Sequence, residues 1–419
     1  MSRRDFLEDF VDSSLWSTVP AKYLFRYKKD PNTGMKETHR LALTMGGVVD
    51  RSLEDTDGLQ SSDYATYQIF EKGDLAFKLI DLQNIKTSRV GLVPRRGIMS
   101  SAYIRLVPNK EDILPEFYYW YFYAAYLGNI FNGLGGGIRQ SLNQTELLEF
   151  PVPQISRDDQ AVIIEHLKSE TTRIDGLIEK KARFIALLKE KLWDAADVMV
   201  TGRDDPNRDL QSVDIPWAPQ IPREWTTKRA KFLFQEMSRA VCPGDDIITA
   251  FRDGQVCLRS KRRTEGYTFA ELEVGYQHIC KGDLVIHTMD AFAGAIGISE
   301  DDGKATGEYA VCAPRSADVN SEYYAYLLRC MARRQYIYIL CPSVRERAPR
   351  FRFFRFAPVL LPLPPRAEQD QIVRRIKKTS ARLKNLITKT ERSIDLLKEK
   401  RAAVITAAVT GKIDVRNAE

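Results

Sequence analysis

The same series of short motifs occurs twice in this chain, in the same order and at a nearly constant separation. Trp16 recurs as Trp225, 209 positions later. The same separation relates Lys-Gly-Asp-Leu at 72–75 to 281–284, Leu-Leu-Lys-Glu-Lys at 187–191 to 396–400, and Val-Thr-Gly at 200–202 to 409–411. A collinear series of this kind indicates an internal duplication. The chain is therefore expected to consist of a globular part and a long helix, each present twice.

The long helices carry the clearest periodicity. Residues 156–200 contain no proline and a single glycine, Gly176. Apolar residues recur four and three positions apart, which gives a narrow stripe suited to pairing with another helix. The residues of this stripe are Ile174, Ile178, Ile185, Leu188 and Leu192 in the first copy and Leu383, Ile387, Ile394 and Leu397 in the second. The alternative is that each helix packs only on its own globular part.

The ends of the helices and the fold class follow from local signals. Ser156 is typical of an N-cap, and Gly202 and Gly411 are typical of helix ends. Short β-rich runs and one aromatic helix occur in each globular part, and the aromatic residues are expected in the core. We predict an α+β fold of two homologous mixed α/β domains, separated by two long α-helices packed as an antiparallel coiled coil with pseudo-two-fold symmetry. The predicted boundaries are 1–153, 154–204, 205–363 and 364–419.

Basic residues cluster in loops of both globular parts, and the chain as a whole carries a formal charge of +7. This basic balance is compatible with a polyanionic partner but is also common in soluble proteins, and arginine can bind guanine or phosphate with two hydrogen bonds, so these clusters are candidate nucleic-acid contacts. Alternation of Arg and Phe over 350–356 is typical of an edge strand. A solvated charged face is the alternative for any single residue. The candidates are Lys86, Arg89, Arg95, Arg96, Arg139 and Gln140 in the first copy, and Arg259, Lys261, Arg262, Arg263, Arg345, Arg347, Arg350 and Arg352 in the second.

Motifs for chemistry are weak in this sequence. Phe131 to Gly135 matches a loose F-x-G-x-G cofactor pattern, but an aromatic helix precedes it where a buried strand is required. Gly303-Lys304 lacks the upstream glycine of a phosphate-binding loop, and the six cysteines and four histidines form no zinc motif. We therefore predict no catalytic residue, metal or cofactor. With no signal peptide and no apolar run of about 18 residues, we expect a reduced, cytoplasmic protein and no membrane partner.

Three segments carry a resemblance to a known family. Leu361 to Val373 contains Pro-Leu-Pro-Pro followed by Glu-Gln and Ile-Val, residues 396–412 contain Leu-Leu-Lys-Glu-Lys and Val-Thr-Gly-Lys, and 215–225 contain Ile-Pro-Trp and Ile-Pro-Arg-Glu-Trp. The chain resembles, over essentially its whole length, the specificity subunits of type I restriction–modification systems. The first copy departs from the family pattern at 154–160, which weakens the motif there.

The resemblance implies two target-recognition domains, each reading half of a split, asymmetric double-stranded DNA site, with the helices as spacer. It also implies two methyltransferase subunits and restriction–translocase subunits as partners, in the cytoplasm of a bacterium or archaeon. S-adenosylmethionine, ATP and magnesium are expected only on those partners. Two alternatives remain, namely a self-sufficient DNA methyltransferase fusion and a coiled-coil scaffold without a DNA role.

Overall fold

The structure, a computed structural model, describes residues 7, 10–11, 14–55, 63–80, 82, 88–134, 141–262, 275–341 and 350–415. The chain divides into two compact units, Met1–Ala182 with Glu391–Glu419, and Arg183–Thr390. Each unit therefore takes one globular part together with half of each long helix.

The first unit is built mainly from short strands. Its strands are β1 (Thr18–Pro20), β2 (Phe25–Tyr27), β3 (Arg40–Thr44), β4 (Gly47–Arg51), β5 (Gln68–Phe70), β6 (Leu75–Phe77), β7 (Val90–Leu92), β8 (Gly97–Met99), β9 (Ile104–Pro108) and β10 (Pro151–Pro153). Its helices are α1 (Pro115–Leu127), α2 (Ile130–Leu134), α3 (Gln144–Leu148) and the start of α4 (Arg157–Val200), with 3₁₀ turns at Ala21–Tyr23 and Tyr64–Thr66. The strands form antiparallel β2-β9-β6-β7, mixed β4-β3-β8-β5, and the pair β1-β10.

The second unit continues the chain with β11 (Leu210–Ser212), β12 (Gln220–Pro222), β13 (Thr226–Arg229), α5 (Ala230–Leu233), β14 (Phe234–Met237), β15 (Ile248–Ala250), β16 (Val256–Leu258), β17 (Tyr276–Ile279), β18 (Leu284–His287), β19 (Ile296–Ile298), β20 (Gly303–Thr306) and β21 (Tyr309–Pro314). It then contains α6 (Ser321–Arg333), α7 (Tyr336–Ile339), α8 (Phe353–Phe356), β22 (Leu360–Leu363) and the start of α9 (Arg366–Val409), with 3₁₀ turns at Arg259–Lys261 and Ala291–Ala293. Its sheets are β14-β21-β18-β19, β15-β16, β17-β20, β13-β22 and β11-β12.

The four-stranded antiparallel sheet is the same in both units. In the first it runs β2-β9-β6-β7, and in the second β14-β21-β18-β19, with corresponding strands in corresponding places. The pair β1-β10 likewise has its counterpart in β13-β22. The repeat that the motifs predict in the sequence is therefore a repeat of topology.

Aromatic helices α1 and α6 close the core of each unit, as the sequence predicts. Phe117, Tyr118, Tyr323 and Tyr324 are all buried. The Tyr118 hydroxyl donates to the Pro153 carbonyl oxygen at 3.0 Å, and the Tyr324 hydroxyl donates to that of Pro362 at 3.1 Å. Each hydroxyl is therefore satisfied by the strand that precedes a long helix, which a buried phenol requires.

A buried glutamine anchors the start of each long helix. The Gln160 side chain donates to the carbonyls of Asp112 and Ile155 and accepts from the Leu114 amide. Gln369, 209 positions later, donates to Asp318 and Pro364 and accepts from Asn320. Each glutamine side chain thus forms hydrogen bonds both to the residue between the preceding strand and its long helix and to the loop before α1 or α6. This shared contact sets how each helix leaves its globular part.

Helices α4 and α9, each 44 residues long, pack together. In the first unit Arg401 of α9 donates two hydrogen bonds to Asp175 of α4, at 2.9 and 3.1 Å. In the second unit Val200 of α4 and Ile372 of α9 belong to one apolar core. Opposite halves of the helices thus lie in the same unit, so the helices run antiparallel. No helix in the described part of the chain combines the length and the apolarity needed to cross a lipid bilayer.

The predicted helix signals have clear structural counterparts. The Asp159 amide donates to the Ser156 hydroxyl at 3.1 Å, and α4 begins at Arg157. Gly202 and Gly411 follow the helices with φ of +68° and +76°, a conformation that favours glycine. The N-cap and both glycine stops are thus present as the sequence indicates.

Candidate nucleic-acid interface

Two exposed arginines of the first unit lie in the loop between β7 and β8. Arg95 forms an ion pair with Asp50 at 2.7 Å. Arg96 contacts Glu37 at 3.0 Å and also pairs with Glu71. The loop therefore presents guanidinium groups to solvent, each beside at least one carboxylate. Lys86, Arg139 and Gln140 lie outside the described residues.

Arg89 does not lie on the surface. Its side chain is 1% exposed and donates to the carbonyl oxygen of Leu82 at 2.7 Å. The prediction that Arg89 contacts DNA is wrong for this fold, because a buried guanidinium cannot reach a phosphate or a base edge. The sequence gives no sign of this burial, because the polar residues Lys86, Thr87 and Ser88 directly precede Arg89.

The 3₁₀ turn that follows β16 in the second unit carries a further basic group. Lys261 lies 2.6 Å from Asp301, and its hydrogen bond lowers the pKa of that carboxyl while the carboxylate raises the pKa of Lys261. Arg262 pairs with Asp253 at 2.9 Å and stacks 4.1 Å from the centroid of the Phe251 ring. Arg259 is partly buried and donates to the Thr249 hydroxyl at 3.2 Å. Arg263 lies outside the described residues.

Arg350 and Arg352 converge on one carboxylate. Their guanidinium nitrogens lie 3.2 and 3.6 Å from Glu308, and both side chains are nearly half exposed. Thr288 holds that carboxylate from the other side, because its hydroxyl donates to Glu308 at 3.0 Å. Arg350 and Arg352 are therefore two accessible arginines that share the Glu308 carboxylate. Arg345 and Arg347 lie outside the described residues.

The predicted edge strand over 350–356 is wrong. Phe353–Phe356 forms the helical turn α8, and the Phe351 amide donates to the carbonyl of Thr288 at 2.9 Å. Phe351 and Phe356 are buried, whereas Phe354 is 63% exposed. Only the last four of these residues are helical, so the alternation of two that an edge strand requires is not kept. The arginines nevertheless stay on the outside.

The stripe on the long helices lies on their covered side. Ile174, Ile185, Leu188 and Leu383 are buried. The remaining predicted pairing residues are partly buried, namely Ile178, Leu192, Ile387, Ile394 and Leu397. Leucines just outside the stripe are exposed, namely Leu177, Leu187, Leu386 and Leu396.

Two solved structures have the same arrangement of elements. A chain from a structure of complex assembly and conformational transition of the type I R-M system matches with a TM-score of 0.62 at 14% identity, covering 95% of this chain and 98% of that one. The HsdS subunit from Thermoanaerobacter tengcongensis matches with a TM-score of 0.51 at 14% identity, covering 95% and 97%. The chain has the fold of a type I specificity subunit. No protein-family model matches the sequence, and no curated protein matches it.

Within this specificity-subunit fold, the structure accounts for the Gly303-Lys304 segment and adds one exposed arginine to the candidate set. Gly303–Thr306 is strand β20, paired with β17, so it is not a phosphate-binding loop. Arg252, which the sequence analysis missed, lies in the turn between β15 and β16, with a two-thirds-exposed side chain that pairs with Asp290 at 2.9 Å. The signal that could have found it is Asp253-Gly254, a dipeptide typical of hairpin turns, between two β-rich runs.

Proposed function

We propose that this chain is the DNA-specificity subunit of a type I restriction–modification system and reads a bipartite, asymmetric site. Each globular part would read one half-sequence, and α4 with α9 would act as spacer and docking surface. The chain would be non-catalytic, with S-adenosylmethionine, ATP and magnesium bound by two methyltransferase subunits and by restriction–translocase subunits. The complex would act on double-stranded DNA in the cytoplasm of a bacterium or archaeon.

One observation carries this proposal: the specificity-subunit fold over 95% of the chain, built from two units with the same four-stranded sheet. Two related but divergent modules in one chain are suited to two different half-sequences. Linking them makes the second contact intramolecular, so two weak binding events add up to tight binding.

The exposed arginines support a role in DNA binding. Arg95, Arg350 and Arg352 each pair with a carboxylate at the surface. Exposed ion pairs contribute only about 0–1 kcal/mol, so a guanidinium can exchange its carboxylate for a phosphate or a base edge at small cost. Such pairs also orient the arginine fork before DNA arrives.

Mapping the modified bases of a whole genome tests the proposal directly. The chain is co-expressed with its cognate methyltransferase subunits in a host without other modification systems, and modified bases are mapped by sequencing. The expected result is one split motif of two unlike half-sequences with a constant gap. A contiguous motif, or modification by this chain without a methyltransferase subunit, would contradict the proposal, and the second result would favour the fusion alternative.

Replacing Arg350 with alanine is expected to weaken cognate DNA binding by about 1–3 kcal/mol if the side chain reads a base. Loss of a phosphate contact would instead weaken all sequences alike and flatten the dependence of affinity on salt. Binding titrations of the complex with the methyltransferase subunits, at several salt concentrations, distinguish the two.

Two variants serve as controls for this experiment. Glu308→Gln removes the carboxylate shared by Arg350 and Arg352 and should strengthen binding. Arg223→Ala removes an exposed arginine that pairs with Asp209 at 2.7 Å and lies between β12 and β13, outside the candidate set, and should leave binding unchanged. Affinity that is equal in Arg350→Ala and the native chain would remove Arg350 from the interface.

Lengthening both long helices by one heptad is expected to widen the gap between the half-sequences. Insertion after Lys180 and after Lys389, which are 209 positions apart, keeps the apolar stripe continuous. Seven residues add about 10 Å of helix, which corresponds to about three base pairs. Methylome sequencing should then show the same two half-sequences around a longer gap.

A heptad in only one helix is the matched control. A single insertion puts the apolar stripe of α4 out of register with that of α9, and it should therefore reduce DNA modification at every site. Altered half-sequences with an unchanged gap in the double insertion would contradict the spacer role.

A further inference from the structure

Two overlapping groups of metal-binding side chains lie in the second unit. The ligand atoms of Cys242, Asp245 and His278 all lie within 4.8 Å of one another. The same holds for His278, Cys280 and Asp302. His278 is common to both groups. None of these residues belongs to the candidate DNA-binding set.

The first group is held in place by its own hydrogen bonds. The Asp245 carboxylate lies 2.8 Å from Nδ1 of His278 and accepts from the Cys242 amide at 2.8 Å. The Asp245 amide returns a bond to the Cys242 carbonyl at 3.2 Å, which closes a tight turn. The His278 amide, in β17, donates to the Arg239 carbonyl at 3.0 Å. The three ligands are therefore positioned by backbone contacts.

The second group completes the surroundings of His278. Asp302 accepts from the Lys281 amide at 2.8 Å and directly precedes β20, the partner of β17. The Cys280 amide donates to Asp283 at 2.8 Å. The Cys280 side chain is partly buried, whereas Cys242 is exposed. An ion can thus reach the cluster from the side of Cys242.

The chemistry of these ligands selects the metal. A thiolate, an imidazole and a carboxylate together suit Zn²⁺, with bonds of about 2.0–2.3 Å, whereas calcium and magnesium prefer oxygen alone. Nδ1 of His278 and the Asp245 carboxylate lie 2.8 Å apart, so the two ligand atoms are close enough to bind the same ion. The side chains of both residues are mostly buried, which shields the bonds from water.

We propose that Cys242, Asp245 and His278 bind a Zn²⁺ ion, whose fourth position is taken by water or by a ligand of the second group. The ion fastens the segment between β14 and β15 to strand β17. This site is structural, and its presence does not depend on the proposed function in DNA recognition.

Metal content and cobalt spectroscopy of the full chain test the site. The chain is loaded with zinc under reducing conditions, dialysed against metal-free buffer and analysed for bound metal. One equivalent of zinc is expected, and loading with Co²⁺ should give the thiolate-to-cobalt charge-transfer band. The spectrum of the native chain requires no variant, so it remains decisive if a variant does not fold.

Cys242→Ser and His278→Ala are the test variants, and Cys341→Ser, a buried cysteine outside both groups, is the control. The test variants should lose zinc affinity by more than about tenfold, whereas the control should bind like the native chain. A chelator should lower the melting temperature of the native chain and of the control only. A native chain without stoichiometric metal, a cobalt complex without a thiolate band, or equal zinc in all variants would overturn the proposal.

Discussion

Replacing Arg105 with methionine is expected to lower the free energy of unfolding of the first unit by about 3–5 kcal/mol. Arg105 and Asp74 form a fully buried ion pair, with Nε 2.5 Å from the carboxylate, and Arg105 also donates to the Ile69 carbonyl at 2.6 Å. Methionine retains much of the side-chain length but leaves the Asp74 charge without its partner in the core. Urea denaturation, with hydrogen exchange of β6 and β9 reporting on this unit, measures the loss.

The loss should depend on pH in a defined direction. Burial raises the pKa of Asp74, and Arg105 opposes that rise. Without Arg105 the folded-state pKa rises further, and a carboxyl whose pKa is raised by folding destabilises the fold as pH increases through that pKa. The deficit of the variant should therefore be largest at neutral pH and should shrink as the pH falls towards 3.8, the ordinary pKa of an aspartate.

The second unit offers a matched control for this pair. Asp283, the counterpart of Asp74 209 positions later, pairs with Arg239 at 2.5 Å, but a quarter of the Arg239 side chain is exposed. Water can replace the lost partner there, so Arg239→Met should destabilise less. Replacing both Arg105 and Asp74 with apolar residues should recover much of the loss. Equal deficits in the two single variants would contradict burial as the cause.

Gly202→Val is expected to destabilise the second unit by about 2–5 kcal/mol. Gly202 has φ of +68°, and a β-carbon there would lie 2.7 Å from Cδ of Pro222 and 2.9 Å from the Trp225 ring. A branched side chain therefore combines backbone strain with overpacking at the end of α4. Thermal denaturation, with hydrogen exchange of the last turn of α4, measures the effect.

Two glycines separate these causes. Gly282 has φ of +92° but nothing within 4 Å of its β-carbon position, so Gly282→Val measures the backbone cost alone. Gly176 lies inside α4 with open space around it, and Gly176→Ala should stabilise the helix by up to about 1 kcal/mol. The explanation would fail if Gly202→Val cost no more than Gly282→Val.

The repeat and the long helices could be predicted because their signals are local and periodic. Trp16 and Trp225 mark the duplication, and the spacing of Ile174, Ile185 and Leu188 marks the covered face of α4. Composition and spacing do not reveal sheet order, because it depends on contacts between residues far apart in the chain. The β9–β6 pairing, for example, aligns Leu75 with Leu106.

The candidate sites were less predictable from the sequence, because burial and contacts between distant residues determine them. Arg89 and Arg105 look like surface arginines, and only the packing around them reveals their burial. The group of Cys242, Asp245 and His278 escaped motif analysis because 33 positions separate Asp245 from His278 and a carboxylate takes the place of a second sulfur or histidine. Residue type identifies what a side chain can do, whereas the fold decides where it does so.

The division of the long helices between the units has a consequence for biosynthesis. The second unit is one continuous stretch, Arg183–Thr390, so all its contacts are available once that stretch has left the ribosome. The core of the first unit joins Phe10 to Ile405 and Val409, so it closes only after nearly the whole chain has been made. Since closing long loops is slow and domains fold as units during synthesis, the later-encoded module should mature first. The first unit would leave part of its apolar core exposed until the end of α9 has been synthesised.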